Sequence, residues 1–283
     1  SGFDIPVIIG PMNGGMDYPA AFRRSESLGT RVAVAIARAS ADFVNRIIAG
    51  KIRANVLLVA NERTRNALPR GTRGKIIEIP ENGVDLTVWS LPPKTVPSAV
   101  PPRFLFVGRL VEWKRLDLVL HALAEVPEAQ LDVIGDGQMR ITWTALAGHL
   151  GIADRVRWLG WLQQAECAQH IHGATALLLP SIYECGGAVV LEAMACGSPV
   201  VATAWGGPMD YVDASCGILI EPAGPDAIVS GFVDAIRKLA ADPALRVQLG
   251  TVGRKRAGLL YDWNLKIDRI VEIYRQCIFD RRS

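Results

Sequence analysis

The chain has 283 residues, half of them hydrophobic, about a fifth charged and 7% aromatic, which excludes a disordered or fibrous protein and leaves two domains or one large one. Lys and Arg number 31 against 28 Asp and Glu, a formal net charge of +3 that is too small to mark a nucleic-acid partner. The five Cys form no CxxC pair and are odd in number, so reduced thiols in a cytosolic setting are expected rather than a disulfide framework.

The chain opens Ser1-Gly2-Phe3-Asp4-Ile5-Pro6, with neither the basic nor the apolar region of a signal peptide. No apolar run approaches the ~20 residues of a membrane span. Residues 7–10 read as a strand, 31–48 as a long helix, 54–60 as a strand, 64–68 as a short helix and 75–79 as a strand. Prolines 92, 93, 97, 101 and 102 then suggest an interdomain linker. From residue 103 to 241 short apolar strands alternate with helical patterns. Strands are expected at 104–108, 131–135, 156–160, 176–179, 199–202 and 217–220. Helices are expected at 116–125, 144–150, 165–172, 188–195 and 228–239, with a short helical turn beginning at Tyr211. This is the βαβ pattern of a doubly wound parallel sheet. Two helices, 243–260 and 263–278, close the chain. The expected division is a partial N-terminal domain at 1–94, a second domain at 95–262 and a terminal helix at 263–283. An opening in mid-fold without Met suggests that the first domain is short by on the order of 100 residues.

Several motifs fail. Gly135-Asp136-Gly137 follows a strand, but Arg140 stands where a dinucleotide fingerprint needs its third Gly. His121 and His149 sit in helical patterns, His170 and His172 flank an apolar strand, and no cluster has metal-ligand spacing. The richest segment runs from Pro180 to Val200. Gly186 and Gly187 remove side chains where a helix begins, so free backbone N–H groups and the helix dipole favour an anion there, a diphosphate above all. Glu184 before the helix and Glu192 one turn inside it would be repelled by phosphate, so hydrogen bonds to a ribose or sugar diol suit them better. A glycine turn with one carboxylate at the helix start and one solvated is the plainer alternative. Arg109 and Lys114 follow an earlier strand end on the same side of the sheet, placed to neutralise the phosphates or standing as a solvated pair.

These residues resemble the retaining glycosyltransferases of the GT-B fold, in the large group called family 4. Glu184 to Glu192 is similar to that family's glutamate, seven residues, glutamate motif. Val107-Gly108-Arg109-Leu110 with Lys114 resembles its phosphate-binding segment, and Asn82-Gly83-Val84-Asp85 its asparagine-glycine-valine-aspartate segment. Gly206-Gly207, Gly217-Ile218-Leu219-Ile220 and the terminal helix match as well. The resemblance implies an α/β protein of two Rossmann-like doubly wound domains facing a cleft, the N-terminal one incomplete. It implies transfer of a sugar from a nucleotide-diphosphate sugar to an acceptor hydroxyl with retention, in polysaccharide or glycolipid synthesis. Arg109, Lys114 and Glu184 would be catalytic. Gly108, Gly135, Gly160, Trp161, Leu162, Cys185, Gly186, Gly187, Ala188, Val189 and Glu192 would bind the donor, with Glu192 on the ribose and Gly160-Trp161-Leu162 beside the base. No cofactor or metal is implied; a UDP-sugar is the expected co-substrate and a saccharide or lipid-linked molecule the acceptor. A cytoplasmic protein with peripheral membrane contact is the expected setting.

Two departures stand out. Cys185-Gly186-Gly187 lacks the bulky residue usual between the family's glycines, and the loop Gly10 to Tyr18 has no His. Asn13, Gly14, Gly15 and Asp17 make it a candidate cleft loop, with Asn13 and Asp17 the polar residues for contacting donor or acceptor; a glycine turn with polar tips is the plainer alternative. A nucleotide-binding fragment without turnover is the alternative function, and a dehydrogenase a more distant one.

Overall fold

The computed structural model describes residues 5–25, 29, 40, 44–45, 47–92 and 101–279. The helix expected over 31–48 and most of the proline-rich stretch lie outside the described residues. Contacts divide the chain into two units. The first comprises Ser1–Asp17, Phe22–Gly83 and Trp263–Ser283; the second comprises Tyr18–Ala21 and Val84–Asp262. The division after Gly83 corrects the expected boundary at residue 94. Val84 N–H donates to the Tyr261 carbonyl at 2.8 Å, and Val84 and Trp89 are buried in the second unit's core. Prolines mark where a backbone cannot continue a ladder, not where the buried surface changes hands.

In the first unit three strands run parallel in the order β1 (Ile8–Met12), β2 (Val56–Val59) and β3 (Lys75–Glu78). All four residues of β2 are buried, as a central parallel strand requires. The C-terminal helix, Trp263–Phe279, lays Ile270, Ile273 and Cys277 against Val56, Leu58 and Ile79 of this unit. Their spacing of three and four residues keeps them on one helix face. On the same helix Lys266 is buried, and its ammonium donates to the Asn82 carbonyl at 2.6 Å. Burial pushes that lysine down to about 8.

The second unit is a six-stranded sheet whose pairings are all parallel. Its strands are β4 (Arg103–Val107), β5 (Gln130–Ile134), β6 (Val156–Gly160), β7 (Leu177–Leu179), β8 (Val200–Thr203) and β9 (Gly217–Ile220). They lie in the order β6-β5-β4-β7-β8-β9. The chain therefore builds outward from β4 in one direction, returns, and builds outward from β7 in the other. In such a sheet the carboxyl ends of the two strands at the reversal open a crevice that no crossover helix fills. Helices Leu116–Ala124, Arg140–His149, Gln164–Gly173 and Ala188–Ala195 join the strands. Strands β7 and β8 are wholly buried, and Leu177, Leu179, Val200 and Ala202 share one core with helix Ala188–Ala195.

Three expectations shift. The helix read from residue 144 begins at Arg140. Tyr211 ends a helix, Gly207–Tyr211, because Gly206 at φ +71° and Pro208 in the first turn start it earlier. His170 and His172 lie inside helix Gln164–Gly173, not beside a strand.

Candidate functional site

The neighbouring strands β4 and β5 set two loops side by side at their carboxyl ends. After β4, Gly108 takes φ +154°, and after β5, Gly135 takes φ +122°. A Cβ placed on Gly135 would lie 2.0 Å from the Gly108 carbonyl oxygen, so main chain packs directly on main chain. Gly135→Ala is therefore expected to cost roughly 3 kcal/mol or more, adding backbone strain to overpacking. Chemical denaturation measures it, and a loss below 1 kcal/mol would show that the two loops part easily.

Lys114 ends a single 3-10 turn, Glu112–Lys114. Arg115 follows in the left-handed region at φ 48°, held by its own fork onto Asp117 with Nε–Oδ1 at 3.0 Å and Nη2–Oδ2 at 2.8 Å. This turn directs Lys114 back over Gly108, where a Cβ would lie 3.8 Å from Nζ. The β7 loop meets it there. Ile182 N–H donates to the Trp113 carbonyl at 3.0 Å, and the Lys114 ammonium pairs with the Glu184 carboxylate. Both side chains are only 13% exposed, so neither has much water to fall back on.

Beyond Glu184 the chain turns into helix Ala188–Ala195. Gly187 precedes it at φ 66°, ψ 52°, and no side chain caps the first turn. The first amides of the helix, Ala188 and Val189 among them, are thus left to a ligand or water. Gly186 and Gly187 are buried, while Cys185 and Ala188 are exposed. The loop is fixed from behind: Gly207 N–H donates to the Glu184 carbonyl at 2.7 Å, and a Cβ on Gly207 would lie 2.1 Å from the Gly186 carbonyl oxygen. Glu192, one turn in, is largely shut from water, and that burial pushes its carboxyl up to about 7. Cys167 stands near it. Burial first, and the Glu192 charge second, push that thiol up to about 12, so Cys167 is inert at neutral pH.

Arg109 is exposed and, among the described residues, meets no carboxylate. Gly160 at the end of β6 takes φ +69°, and Trp161 is 69% exposed beside half-buried Leu162. A Cβ on Gly160 would lie 3.8 Å from Nη1 of Arg140, which pairs with Asp136 at 3.4 Å. Arg140 is a cation that sequence reasoning passed over. The signal was present: it is the residue that spoils the dinucleotide fingerprint.

The structure therefore gathers Gly108, Lys114, Gly135, Glu184, Cys185, Gly186, Gly187, Ala188, Val189 and Glu192 around one strand reversal, with Arg109 on its open side. Asn13, Gly14, Gly15 and Asp17 belong to the first unit. There Asn13 Nδ2 donates to Glu81 at 2.5 Å and Gly14 N–H to Thr64 Oγ1 at 3.0 Å. Asp17 lies 3.6 Å from Arg23. These contacts tie the glycine loop to the head of helix Glu62–Asn66, which Asn61 caps through Thr64 N–H at 3.0 Å. Among the described residues no group of three or more His, Cys, Asp or Glu side chains is placed to hold a metal ion.

The Lys114 ammonium and a row of uncapped amides lie at one strand reversal, and a largely buried carboxylate stands one helical turn away. Uncapped amides beside an ammonium suit an anion, and a carboxylate suits hydroxyl donors. Comparison with known proteins agrees. The profile of the family described as Glycosyl transferases group 1 matches residues 89–256. A D-inositol 3-phosphate glycosyltransferase of Kineococcus radiotolerans is 32% identical over 238 residues, covering 74% of this chain and 53% of that protein. Sucrose-phosphate synthase from Thermosynechococcus elongatus superposes with a TM-score of 0.69 at 28% identity, over 83% of this chain and 61% of that one. HepE of Anabaena, solved with UDP-glucose, gives a TM-score of 0.67 at 21% identity, over 83% of this chain and 68% of that one. The chain spans about half the length of the curated relatives it matches.

Proposed function

Because the chain belongs to the glycosyl transferases group 1 family, with the GT-B fold, we propose that it binds a nucleotide-diphosphate sugar at the β4–β7 reversal and serves a retaining sugar transfer. The observation that carries this reading is the meeting of the Lys114 ammonium with the uncapped helix start at Gly187, one turn from Glu192. The diphosphate lies along the Gly186-Gly187 amides, with Arg109 and Lys114 neutralising it. As the glycosidic bond to the donor breaks, negative charge grows on the leaving phosphate. Once it has turned to the diphosphate, the Lys114 ammonium, little exposed to water, stabilises that charge, and Arg109 adds its own from the open side. Arg109 and Lys114 thus do what a divalent ion would otherwise do, and no metal or cofactor is required. Lys114 leaves Glu184 for the diphosphate, and Glu184 turns to the donor sugar hydroxyls. The Glu192 carboxylate accepts from the ribose diol. Gly160-Trp161-Leu162 border the base, with Gly135 nearby and Arg140 behind them.

The acceptor hydroxyl enters on the face from which the phosphate departs, so the anomeric configuration is kept. Asn13 and Asp17 border the acceptor's side. A UDP-sugar is the donor we favour, since UDP-glucose is the ligand of the HepE structure. The acceptor is a saccharide or lipid-linked molecule, used in polysaccharide or glycolipid synthesis in the cytoplasm with peripheral membrane contact. Among the described residues no helix is long and apolar enough to cross a membrane.

A panel of UDP, GDP, ADP and NAD tests the reading by thermal shift. UDP at a hundred times its Kd should raise Tm by roughly 5–10 °C. Stabilisation by NAD alone would sink the proposal.

A further inference from the structure

A second cluster of charges lies at the other end of the same sheet. Asp132, in the middle of β5, is 4% exposed in its side chain. The parallel register sets Arg157 of β6 beside it, and the two form a two-pronged pair, with Nε–Oδ1 at 2.7 Å and Nη2–Oδ2 at 2.5 Å. That pair alone matches the carboxylate's charge. Yet Arg103 at the start of β4 also reaches Asp132 Oδ1, at 2.8 Å, and meets Gln130 with its other arm. His170 of helix Gln164–Gly173 stands 3.7 Å from Oδ2, near but outside hydrogen-bond reach. Burial would raise Asp132, but the hydrogen bonds from Arg157 and Arg103 outweigh it and hold the carboxyl below its ordinary range. One negative charge thus faces two permanent positive ones and an imidazole.

The surplus charge does not face bulk water alone. Arg103, Arg157, Gln169 and His170 line an open cavity of about 240 Å³ beside Asp132, together with Gly173 and Ala174. The Arg103 side chain is 29% exposed and that of Arg157 51%, so Arg103 is half-buried while Arg157 is open to solvent. Among the described residues, Arg157 Nη1 and Arg103 Nε meet no acceptor. A second guanidinium beside a carboxylate whose charge is already matched leaves one positive charge uncompensated. A small anion in the cavity would take the idle N–H groups and balance the charge.

We propose that the Arg103–Arg157–His170 cavity is a binding site for a phosphate dianion, free or as a small monoester, separate from the β4–β7 reversal. It lies towards the amino ends of β4, β5 and β6, whereas Arg109 and Lys114 lie beyond the carboxyl ends. Strands of five residues put roughly 15 Å between the two. The volume is below the ~300–1,000 Å³ of pockets for drug-sized ligands, which suits inorganic phosphate or a short phosphomonoester. The inference does not depend on the proposed transferase activity.

Thermal shift with inorganic phosphate and with glycerol phosphate, each at ionic strength matched by chloride, tests it. Phosphate at ten times its Kd should raise Tm by roughly 3–5 °C in the wild type. The same shift should persist in Lys114→Ala and fall by at least half in Arg157→Gln. His170→Gln, which leaves every Asp132 hydrogen bond in place, is the second variant and should weaken apparent affinity about threefold or more. An equal rise in wild type and both cavity variants would be general salting by phosphate and would overturn the site. A shift lost in Lys114→Ala but kept in Arg157→Gln would place phosphate at the donor site and overturn it too, leaving the transferase reading intact. Equal response to both phosphates means recognition of the dianion alone, and a stronger response to glycerol phosphate means a monoester ligand; either supports the site.

Discussion

Lys114→Ala should abolish most sugar transfer and, separately, destabilise the unliganded protein. The two effects have different origins. In the proposed transfer the ammonium would face charge growing on the departing phosphate, and removing one such preorganised donor costs ~10²–10³ in kcat. Before donor arrives, the same ammonium is the counter-ion of Glu184, and both side chains are 13% exposed. Leaving Glu184 alone there strands a charge with little solvent, at roughly 3 kcal/mol, the low end for a buried pair because the site is not fully closed. For a unit of this size that lowers Tm by roughly 6–10 °C. Glu184→Gln added to Lys114→Ala removes the stranded charge. It should restore most of the Tm and none of the transfer. Full recovery of both, or transfer within twofold of wild type in the single variant, would show that Lys114 is a structural partner of Glu184 and nothing more.

The second large effect concerns protons. Burial places Glu192 at about 7 against an ordinary 4.5, so the folded state holds a proton that the unfolded chain releases. The sign follows from linkage: the group contributes most stability below pH 4.5, loses it as pH rises to about 7, and changes nothing above. The span corresponds to roughly 3 kcal/mol, opposite in direction to an ion-paired carboxylate. Ribose hydroxyls donate to the ionised form, so nucleotide binding should expel the proton. Between pH 7 and 5.5 the Kd for UDP should rise by up to about tenfold per pH unit. Titration calorimetry in two buffers of different ionisation enthalpy should show a proton released near pH 6.5. Glu192→Gln, or a nucleotide without ribose hydroxyls, should flatten this component and leave only the titration of the phosphates. An unchanged pH profile in Glu192→Gln would exclude the residue from the ribose site.

Much of this was legible before any coordinates. The strands at 131–135 and 156–160 and the helix at 188–195 are short apolar segments bounded by Gly or Pro, and local signals of that kind survive folding. The Gly186-Gly187 turn was readable for the same reason. The Lys114–Glu184 pair was not, because 70 residues separate its members and nothing local announces which carboxylate an ammonium meets. Those two groups were assigned to phosphate and sugar separately, and the unliganded fold joins them. The boundary at Gly83 was missed because a single backbone bond from Val84 to Tyr261 decides which core residues 84–92 enter, and prolines were the louder signal. Arg140 was read as a failed glycine because a fingerprint search asks what is missing, not what replaced it.

The glycine contacts behind the site have a bearing on how its specificity changes over time or under design. Gly135 lies against Gly108, and Gly207 against Gly186, with no room for a methyl group at Gly135 or Gly207. The floor of the proposed nucleotide site is thus peptide backbone, whose donors are the same whatever the side chains nearby. Random variation cannot retune it by small steps; it is either kept or lost. Donor preference is free to drift only along the rim, at Cys185, Arg140 and Trp161, where side chains vary without moving that floor. A library for altered sugar use belongs at those three positions, and nearly all of its members should still grip the diphosphate.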